Sequence, residues 1–268
     1  MSTNENKDKK AEVTALQAIS AEDRKDWISL AFVQAGICVC VPAFLLGALL
    51  AEAMPIWPAI ISGSLGYLIV VVGMVATGMI GCDLGLASCT CCQAGFGKSG
   101  ARFIVSTIFA VNMIGWFGIQ NGVCGEAFSN AMLAMTGWDI PVVVSNTIWG
   151  IIMLLTAVYG VHALEKLDKI SIPLLMIIMC YGTFLAFKVY GTGNLNDEGT
   201  VQSMSFMSGV ALSFNFTAVG TITGPDYTRF QKSRKDTVKS VFYGVFPMGV
   251  ITLIMGIVLT KLSGQYDI

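Results

Sequence analysis

The sequence predicts an all-α membrane protein, and three observations support that fold class. Hydrophobic residues make up 54% of the 268-residue chain and charged residues only 12%, about half the usual charged share of a soluble domain. Seven apolar segments are long enough to cross a bilayer. The lysines and arginines fall in alternate connections between those segments. A net charge of −1 also argues against a basic protein that binds nucleic acid.

Residues 1–27 are polar, carry charges of both signs and precede the first apolar segment. They contain no basic start followed by an apolar stretch, so the sequence does not predict a cleaved signal peptide. We therefore expect two regions. The first is a cytoplasmic N-terminal tail over 1–27, and the second is a transmembrane domain over 28–268 with about seven helices.

Each of the seven apolar segments is a predicted membrane-spanning helix, since about 20 apolar residues are enough to span a bilayer. The third segment is longer than a bilayer requires, and we expect it to be tilted or extended at its outer end. In chain order the predicted spans are Ile28–Leu50, Ala59–Ile80, Phe103–Leu133, Val142–Val161, Ile172–Val189, Phe206–Thr223 and Val241–Leu259.

The positive charges predict how the chain is threaded. Of the 16 lysines and arginines, fourteen lie in the N-terminal tail and in the connections after spans two, four and six. The other two, Lys188 and Lys261, follow spans five and seven. Because cytoplasmic connections are enriched in lysine and arginine, this pattern places the N-terminus of a multi-pass cell-membrane protein in the cytoplasm.

Two spans contain residues that interrupt helices. Gly36 and Pro42 lie within the first span, and Gly220, Gly224 and Pro225 lie near the end of the sixth. Interrupted helices at corresponding places in two halves of a chain are typical of a transporter binding site. Ordinary proline-kinked helices are the alternative interpretation. We expect non-helical backbone over 36–42 and over 215–224.

The third span carries polar side chains on one face. Trp116 and Gln120 are four residues apart and so lie on the same side of a helix. An indole that stacks and an amide that matches donor and acceptor edges suit a flat heteroaromatic ring. A packing tryptophan and a glutamine bonded to a neighbouring helix are the alternative. Glu126, the acid most deeply embedded in apolar sequence, is a less favoured hypothesis for proton coupling.

Some sequence patterns resemble catalytic or metal-binding motifs, but the residues around them do not support those functions. Gly95–Gly100 matches a dinucleotide-binding pattern but follows an apolar helix rather than a strand. Cys89, Cys91 and Cys92 have no second cysteine pair and no nearby histidine, so no zinc site is predicted. The only histidine, His162, lies at the inner end of span four, where a capping or interfacial role fits better than catalysis. We predict that the protein is not an enzyme.

Short motifs that lie in order along nearly the whole chain carry a family resemblance. They are Val41–Gly47, Gly85–Ser88, Gly95–Gly100, Gly115–Gln120 and Gly224–Phe230. With them the sequence resembles the nucleobase–cation symporter family of cytosine, purine and hydantoin permeases. The resemblance implies a LeuT-like inverted-repeat transporter fold. This chain would hold the first repeat and two helices of the second. Helix eight would be absent, so we expect a truncated form.

The resemblance also implies a substrate site between helices 1, 3, 6 and 8. Trp116 would stack on the base and Gln120 would hydrogen-bond it. An aromatic residue of helix 6 would cover the other face, with Phe216 favoured and Phe214 as the alternative.

The remaining expected site residues come from helices 1 and 6. Cys40 and Asn215 are expected beside the substrate. The backbone carbonyls of Gly36 and Val39 would bind the coupling cation, in a partial Na+ site.

The expected function is import of a nucleobase, such as cytosine or a related purine or pyrimidine, coupled to Na+ or H+. No organic cofactor is expected, and we expect a monomer in the lipid bilayer that binds no nucleic acid. One alternative is a carrier of the same fold for another small solute, such as a vitamin precursor, allantoin, hydantoin or an amino acid. Another is a membrane subunit or fragment that transports nothing.

Overall fold

The computed structural model describes residues 16–158, 161–192, 195 and 204–264, with the backbone alone at 158 and 161–168. Within those residues the chain is helical and forms no β-sheet. A π-helical turn at Ala101–Val105 joins α5 to α6. The helices are α1 (Trp27–Cys38), α2 (Val41–Ala53), α3 (Ile56–Leu84), α4 (Ser88–Cys91), α5 (Gln93–Gly100), α6 (Ser106–Thr136), α7 (Val142–Val158), α8 (Val161–Tyr190), α9 (Phe206–Thr217), α10 (Val219–Thr228) and α11 (Arg234–Ser263).

The chain divides into two compact units. The first unit comprises residues 1–91 and 168–268, and the second unit comprises residues 92–167. Helices α1–α4, most of α8, and α9–α11 therefore belong to the first unit, and α5–α7 belong to the second.

In the described part of the chain, five helical stretches are long and apolar enough to cross a membrane. They are α3, Gln93–Thr136, Lys169–Tyr190, α9–α10 and α11. Helices α1 and α2 pass the same test together, as one span bent by 53°. Helix α7, which covers the predicted fourth span, is a shorter apolar helix of 17 residues. The described parts of the seven predicted segments are thus helical apart from an interruption in the first, and the count of seven crossings stays a prediction.

The break expected in the first span lies at Val39 and Cys40, between α1 and α2. Val39 has φ −87° and ψ 76°, and Cys40 has φ −146° and ψ 156°, so both leave the helical region. Pro42 lies in the first turn of α2, where its missing N–H costs no bond within α2. In one continuous span, residue 42 would donate to the Cys38 carbonyl, four residues back, and a proline cannot do so.

The break expected over residues 215–224 is not of that kind, and the prediction of non-helical backbone there is wrong. Only Ala218 separates α9 from α10, and its φ of −54° and ψ of −32° are helical. The Thr221 N–H donates to the Ala218 carbonyl at 3.0 Å, three residues back, so the helix tightens for one turn. Pro225 removes the donor of the Thr221 carbonyl, and the Thr77 hydroxyl of α3 donates to that carbonyl at 2.6 Å instead.

The contact between α3 and α9–α10 is built from small residues. A Cβ atom added to Gly66 would lie 2.6 Å from the Ser213 Cβ, so only glycine permits this approach. Three hydroxyl groups then bond to backbone carbonyls of the facing helix, and we call this contact the glycine–hydroxyl seam. Its hydrogen bonds are Ser213 to the Gly63 carbonyl (2.7 Å), Thr77 to the Thr221 carbonyl (2.6 Å) and Thr228 to the Gly78 carbonyl (2.7 Å).

Helix α11 packs on α1, α2 and α3 of the same unit, again through glycines. Gly244 faces the Ala31 backbone of α1, and Gly249 faces the Tyr67 ring of α3. The interior of the first unit is aliphatic and aromatic, as expected for a helix bundle that buries its contacts inside a membrane. Its largest fully buried apolar side chains include Tyr67, Leu46, Leu50, Met54, Met74, Leu253 and Ile257.

The end of the predicted N-terminal tail packs on the first unit. Ile19 is buried, and its N–H donates to the Gly85 carbonyl at 2.9 Å. The Arg24 guanidinium donates to the Gln231 carbonyl at 3.0 Å. Further along, the Lys25 N–H donates to the Phe230 carbonyl at 2.7 Å, and Asp26 pairs with Lys232. This segment therefore joins the ends of α3 and α10 to the start of α11.

In the second unit, α5 contains a bend at Gly97, whose φ of 68° is readily adopted only by glycine. Helix α6 ends at Gly137, also with positive φ, in a left-handed cap. A short connection leads to α7, and the Ser129 hydroxyl of α6 bonds to the Ile140 carbonyl in it. Consecutive helices joined in this way run antiparallel.

The seam generates a test of the Thr77–Thr221 hydrogen bond. Thr77→Val keeps the shape of the side chain and removes the hydroxyl, so we expect a loss of about 0.5–2 kcal/mol in the free energy of unfolding of the purified protein in detergent. Thr77→Ser should retain most of the stability. Pro225→Ala restores an N–H for the Thr221 carbonyl, and Thr77→Val should then cost less. An equal cost with and without Pro225 would contradict this account.

Candidate functional site

The break in the first span leaves carbonyl groups without helical partners. Across it, the Val39 N–H donates to the Ala35 carbonyl at 2.9 Å and the Ala43 N–H to the Cys40 carbonyl at 3.1 Å. No backbone N–H among the described residues outside α1 donates to the carbonyls of Gly36 and Val39. These are the two carbonyls that the resemblance implies for the cation. Val39 is buried, with 2% of its surface exposed, and Gly36 is half-buried.

An aromatic and thiol cluster adjoins this break. Cys38 is buried in the same apolar cluster as Tyr67, and Phe216 packs against that cluster from α9. Tyr67 is fully buried and belongs to that cluster. The Cys40 thiol is half-buried and donates to the Ile37 carbonyl at 3.4 Å. Of the predicted substrate residues of the first unit, Phe216 thus packs against the cluster and Cys40 lies two residues after its member Cys38.

The other two predicted residues of α9 differ in environment. Phe214 is half-buried but lies outside the cluster that contains Cys38, which makes Phe216 the better placed of the two aromatic candidates. Asn215 is exposed. Since successive helical residues point about 100° apart, Asn215 lies on a different side of α9 from Phe216.

The second unit holds the remaining two predicted residues. Trp116 and Gln120 are both half-buried and lie one turn apart on α6, so they share a face as the spacing predicts. Glu126 is exposed in this unit. Its environment therefore lends no particular support to a buried proton-binding carboxyl.

Two polar residues near the break were not predicted. Tyr67 is fully buried, packed on Gly249 and near both thiols. Gln34 is also fully buried, and neither polar atom of its amide has a hydrogen-bond partner in the described structure. It lies one turn before Cys38, on the same face of α1. The sequence offered one signal for each of them: a polar side chain among apolar neighbours within a predicted span.

The motif Gly224–Phe230 proves to be a structural joint at the end of α10. Pro225 packs on Gly81 of α3, and the Asp226 carboxylate accepts the Ser88 N–H at 3.1 Å. The Arg229 guanidinium lies over the Phe230 ring, 4.8 Å from its centroid. Burial lowers the pKa of Arg229 from its ordinary value, and the charge of Asp226 opposes that shift. These side chains anchor the helix end.

The described residues contain no group of three or more histidine, cysteine, aspartate or glutamate side chains that could hold a metal ion. Cys89, Cys91 and Cys92 are not joined in disulfides and are half-buried. The His162 side chain lies outside the described part of the structure. The Gly36 and Val39 carbonyls stay the predicted cation ligands.

A membrane helix bundle with one interrupted span, unbonded carbonyls and adjoining aromatic rings has the architecture of a solute transporter. The chain belongs to the permease family for cytosine/purines, uracil, thiamine and allantoin, whose family model matches residues 19–268. The predicted family is thereby confirmed. Its members are permeases, and the prediction that the protein is not an enzyme is confirmed with it.

Curated relatives include permeases for several heterocyclic solutes. The cytosine permease of Escherichia coli K12 is 26% identical over 249 residues, which is 91% of this chain and 57% of that protein. The purine-uracil permease NCS1 of Arabidopsis thaliana is 25% identical, over 82% of this chain and 41% of that protein. The allantoin permease of Bacillus subtilis is 23% identical, over 84% and 50%. The chain thus spans about half the length of these relatives.

Two solved structures share the fold. Mhp1, a nucleobase-cation-symport-1 family transporter, in a closed conformation with bromovinylhydantoin bound, superposes with a TM-score of 0.84 at 18% identity. That match covers 96% of this chain and 59% of Mhp1. The inward-facing conformation of Mhp1 gives a TM-score of 0.79 at 17% identity, over 95% of this chain and 58% of Mhp1. The LeuT-like fold class that the sequence predicts is confirmed.

The geometry of the break predicts different reactivity for its two cysteines. A membrane-permeant maleimide should modify Cys40 well before Cys38, because Cys40 is partly exposed whereas only 4% of the Cys38 surface is accessible. Mass spectrometry of the labelled peptide, which contains both residues, would locate the adduct. Cys38 is the internal control, and faster labelling of Cys38 would contradict the described geometry.

Proposed function

We propose that the complete protein is a secondary active transporter that imports a nucleobase, such as cytosine or a related purine or pyrimidine, together with Na+ or H+. The observation that carries this proposal is the break at Val39–Cys40, next to the buried Cys38 that shares an apolar cluster with Tyr67. Irregular backbone at membrane depth is tolerated only where it is buried in protein or lines a water-filled cavity. A polar, flat solute that sheds its water suits such a place.

The proposed substrate contacts divide by chemistry. Trp116 and Phe216 would stack on the faces of the base, and a stacked aromatic contributes about 1–3 kcal/mol per base. Gln120 would match a donor and an acceptor on the base edge, because an unpaired buried polar group costs about 1–3 kcal/mol. Cys40 lies at the break between α1 and α2 and would contact the substrate from there. Phe214 and Asn215 are weaker candidates on the same helix as Phe216.

The coupling ion is proposed to bind at the break. Gly36 and Val39 offer carbonyl oxygens, which are ligands suited to a hard cation such as Na+. Two carbonyls are too few for a complete coordination shell, so the remaining ligands must come from water, substrate or further protein. A proton has no such requirement and would need a titratable group instead. The free carbonyls therefore favour Na+ over H+.

The proposed setting is the cell membrane, with a cytoplasmic N-terminal tail over 1–27, a transmembrane domain over 28–268 and a monomeric protein. A second candidate substrate class is another small heterocycle, since the family description includes thiamine and allantoin. Both candidates share a flat ring with a polar edge. An amino acid would lack the ring that Trp116 is proposed to recognise.

The proposed orientation is tested by reporter fusions. Fusions after Arg102, Lys169 and Lys239 should report the cytoplasm, and fusions near Trp57 and Trp138 should report the outside, because positively charged connections stay in the cytoplasm. A matched pair of reporters, one active only inside and one only outside, is the control. A cytoplasmic signal near Trp138 would contradict seven crossings.

The proposed function is tested by substrate competition. Labelled cytosine uptake into vesicles that contain the complete protein should be reduced by unlabelled adenine, uracil or hydantoin, and not by an amino acid. Trp116→Ala should weaken uptake of every base, because each has a face to stack, by about 1–3 kcal/mol. Gln120→Leu should instead change the order of preference. Trp138→Ala, an exposed tryptophan, is the control.

Competition by an amino acid that exceeds every base, together with full uptake by Trp116→Ala, would refute the nucleobase proposal. Replacing Na+ in the buffer distinguishes the ions. Uptake that needs a Na+ gradient supports the carbonyl site, and uptake driven by a pH gradient alone would refute it.

A further inference from the structure

Helices α6 and α7 of the second unit meet through two asparagines that each lie over a glycine of the other helix. A Cβ atom at Gly150 would lie 3.2 Å from Nδ2 and 3.3 Å from Oδ1 of Asn121. A Cβ atom at Gly125 would overlap the Asn146 side chain and lie 2.8 Å from the Asn146 backbone nitrogen. The contact is therefore reciprocal, and it is closer at Gly125.

The spacing explains this reciprocity. Asn121 precedes Gly125 by four residues on α6, and Asn146 precedes Gly150 by four residues on α7. Residues four apart share a face of a helix. Because the two helices are antiparallel, each asparagine meets the glycine of the other helix. One turn beyond Gly125 on α6, the Phe128 ring also packs edge-on against Trp149, with centroids 5.5 Å apart.

The asparagines do not gain full hydrogen bonding from this arrangement. The Oδ1 atoms of both are buried and accept no hydrogen bond in the described structure. An alanine or leucine would fill space without leaving a polar atom unpaired. A buried asparagine at a helix contact is instead well suited to fixing one register among several, at some cost in stability. In the observed register the short planar side chain of each asparagine lies over a glycine of the other helix.

The register of this contact sets where the neighbouring residues point. Gln120 immediately precedes Asn121, so it points about 100° away from the face that contacts α7. Trp116 lies one turn before Gln120 on the same face. A rotation of α6 on α7 by one residue would turn both side chains through a similar angle.

We propose that Asn121 and Asn146 are positioning residues. Each is seated over a glycine of the other helix, and the pair fixes the rotation of α6 so that Trp116 and Gln120 present the solute-binding face. The inference rests on the proposed function for the role of that face, and on the α6–α7 contact for the rotation.

The test is a swap of the Asn121–Gly150 pair. Asn121→Gly removes the side chain over Gly150, and Gly150→Asn crowds Asn121. The double variant puts an asparagine on α7 over a glycine on α6, and a Cβ at 150 then meets none of the side-chain atoms that limited it. The Gly125–Asn146 pair is unsuitable for a swap, because a Cβ at 125 also meets backbone. Gly122→Ala is the control, since Gly122 has open space around it.

The dissociation constant of cytosine for the complete, purified protein is the first readout. Each single variant should raise it about five- to ten-fold, the range expected from losing about one hydrogen bond to the base. The double variant should restore it to within about two-fold, and Gly122→Ala should leave it unchanged. The thermal unfolding midpoint is measured in parallel.

Affinity that stays constant in the single variants while their unfolding midpoints fall would overturn the positioning role, because the contact would then be structural only. Single-variant losses that add in the double variant would overturn the pairing itself. If Asn121→Gly yields no folded protein, Asn121→Ala with and without Gly150→Asn replaces it, since alanine keeps helix propensity.

A wild-type protein that binds none of the tested bases would refute the proposed function, and the positioning role would then be judged by a second readout. A cysteine in place of Gln120, in a background without other reactive cysteines, is labelled with a water-soluble maleimide. Asn121→Gly should change its labelling rate, and the swap should restore it. A rate that is equal in all variants would overturn the inference.

Discussion

A backbone carbonyl that loses its helical donor inside a bilayer has no water to turn to, and prolines within the spans of the first unit create this situation. Two of these prolines, Pro42 and Pro225, belong to the two spans that were expected to break. Pro42 leaves the Cys38 carbonyl without a donor, and Pro225 does the same to the Thr221 carbonyl. The Thr77 hydroxyl reaches Thr221 at 2.6 Å, and that span stays helical. No backbone N–H among the described residues donates to the Cys38 carbonyl, and that span opens at Val39 and Cys40. Of these two spans, the one with a neighbouring hydroxyl stays helical, whereas α8 and α11 continue past Pro173 and Pro247 as well.

The glycine–hydroxyl seam is what brings that hydroxyl into reach. Glycines bring Thr77 close to the Thr221 carbonyl, since a Cβ atom at Gly73 would lie 2.7 Å from the Thr221 side chain and one at Gly224 would lie 2.7 Å from the Thr77 hydroxyl oxygen. Phe216 of α9 packs against the apolar cluster that contains Cys38 and Tyr67. The seam therefore keeps the sixth predicted span helical and brings α9 against the core of the first unit.

The sequence predicted the features that depend on the residues of one segment alone. Apolar length located the helices, Gly36 and Pro42 located the first break, and the four-residue spacing put Trp116 and Gln120 on one face. The second predicted break failed because a proline in a span shows which carbonyl is freed but not whether another helix supplies a donor. Tyr67 and the paired glycines were missed for a related reason. Their significance lies in which residue of a distant segment faces them, and one sequence without its fold does not contain that.

The two units join their helices through different polar groups: hydroxyls in the first unit and asparagine amides in the second. The two kinds of contact differ in what they contribute to stability. In the seam, each hydroxyl completes a hydrogen bond to a carbonyl, so the contact adds stability while it fixes the register. Between α6 and α7, the carbonyl oxygens of Asn121 and Asn146 stay without donors, so the contact fixes the register at a cost in stability. A helix contact that lowers stability is retained when the side chains that it positions are needed for function. Here the residues next to Asn121 are those that the solute is proposed to meet.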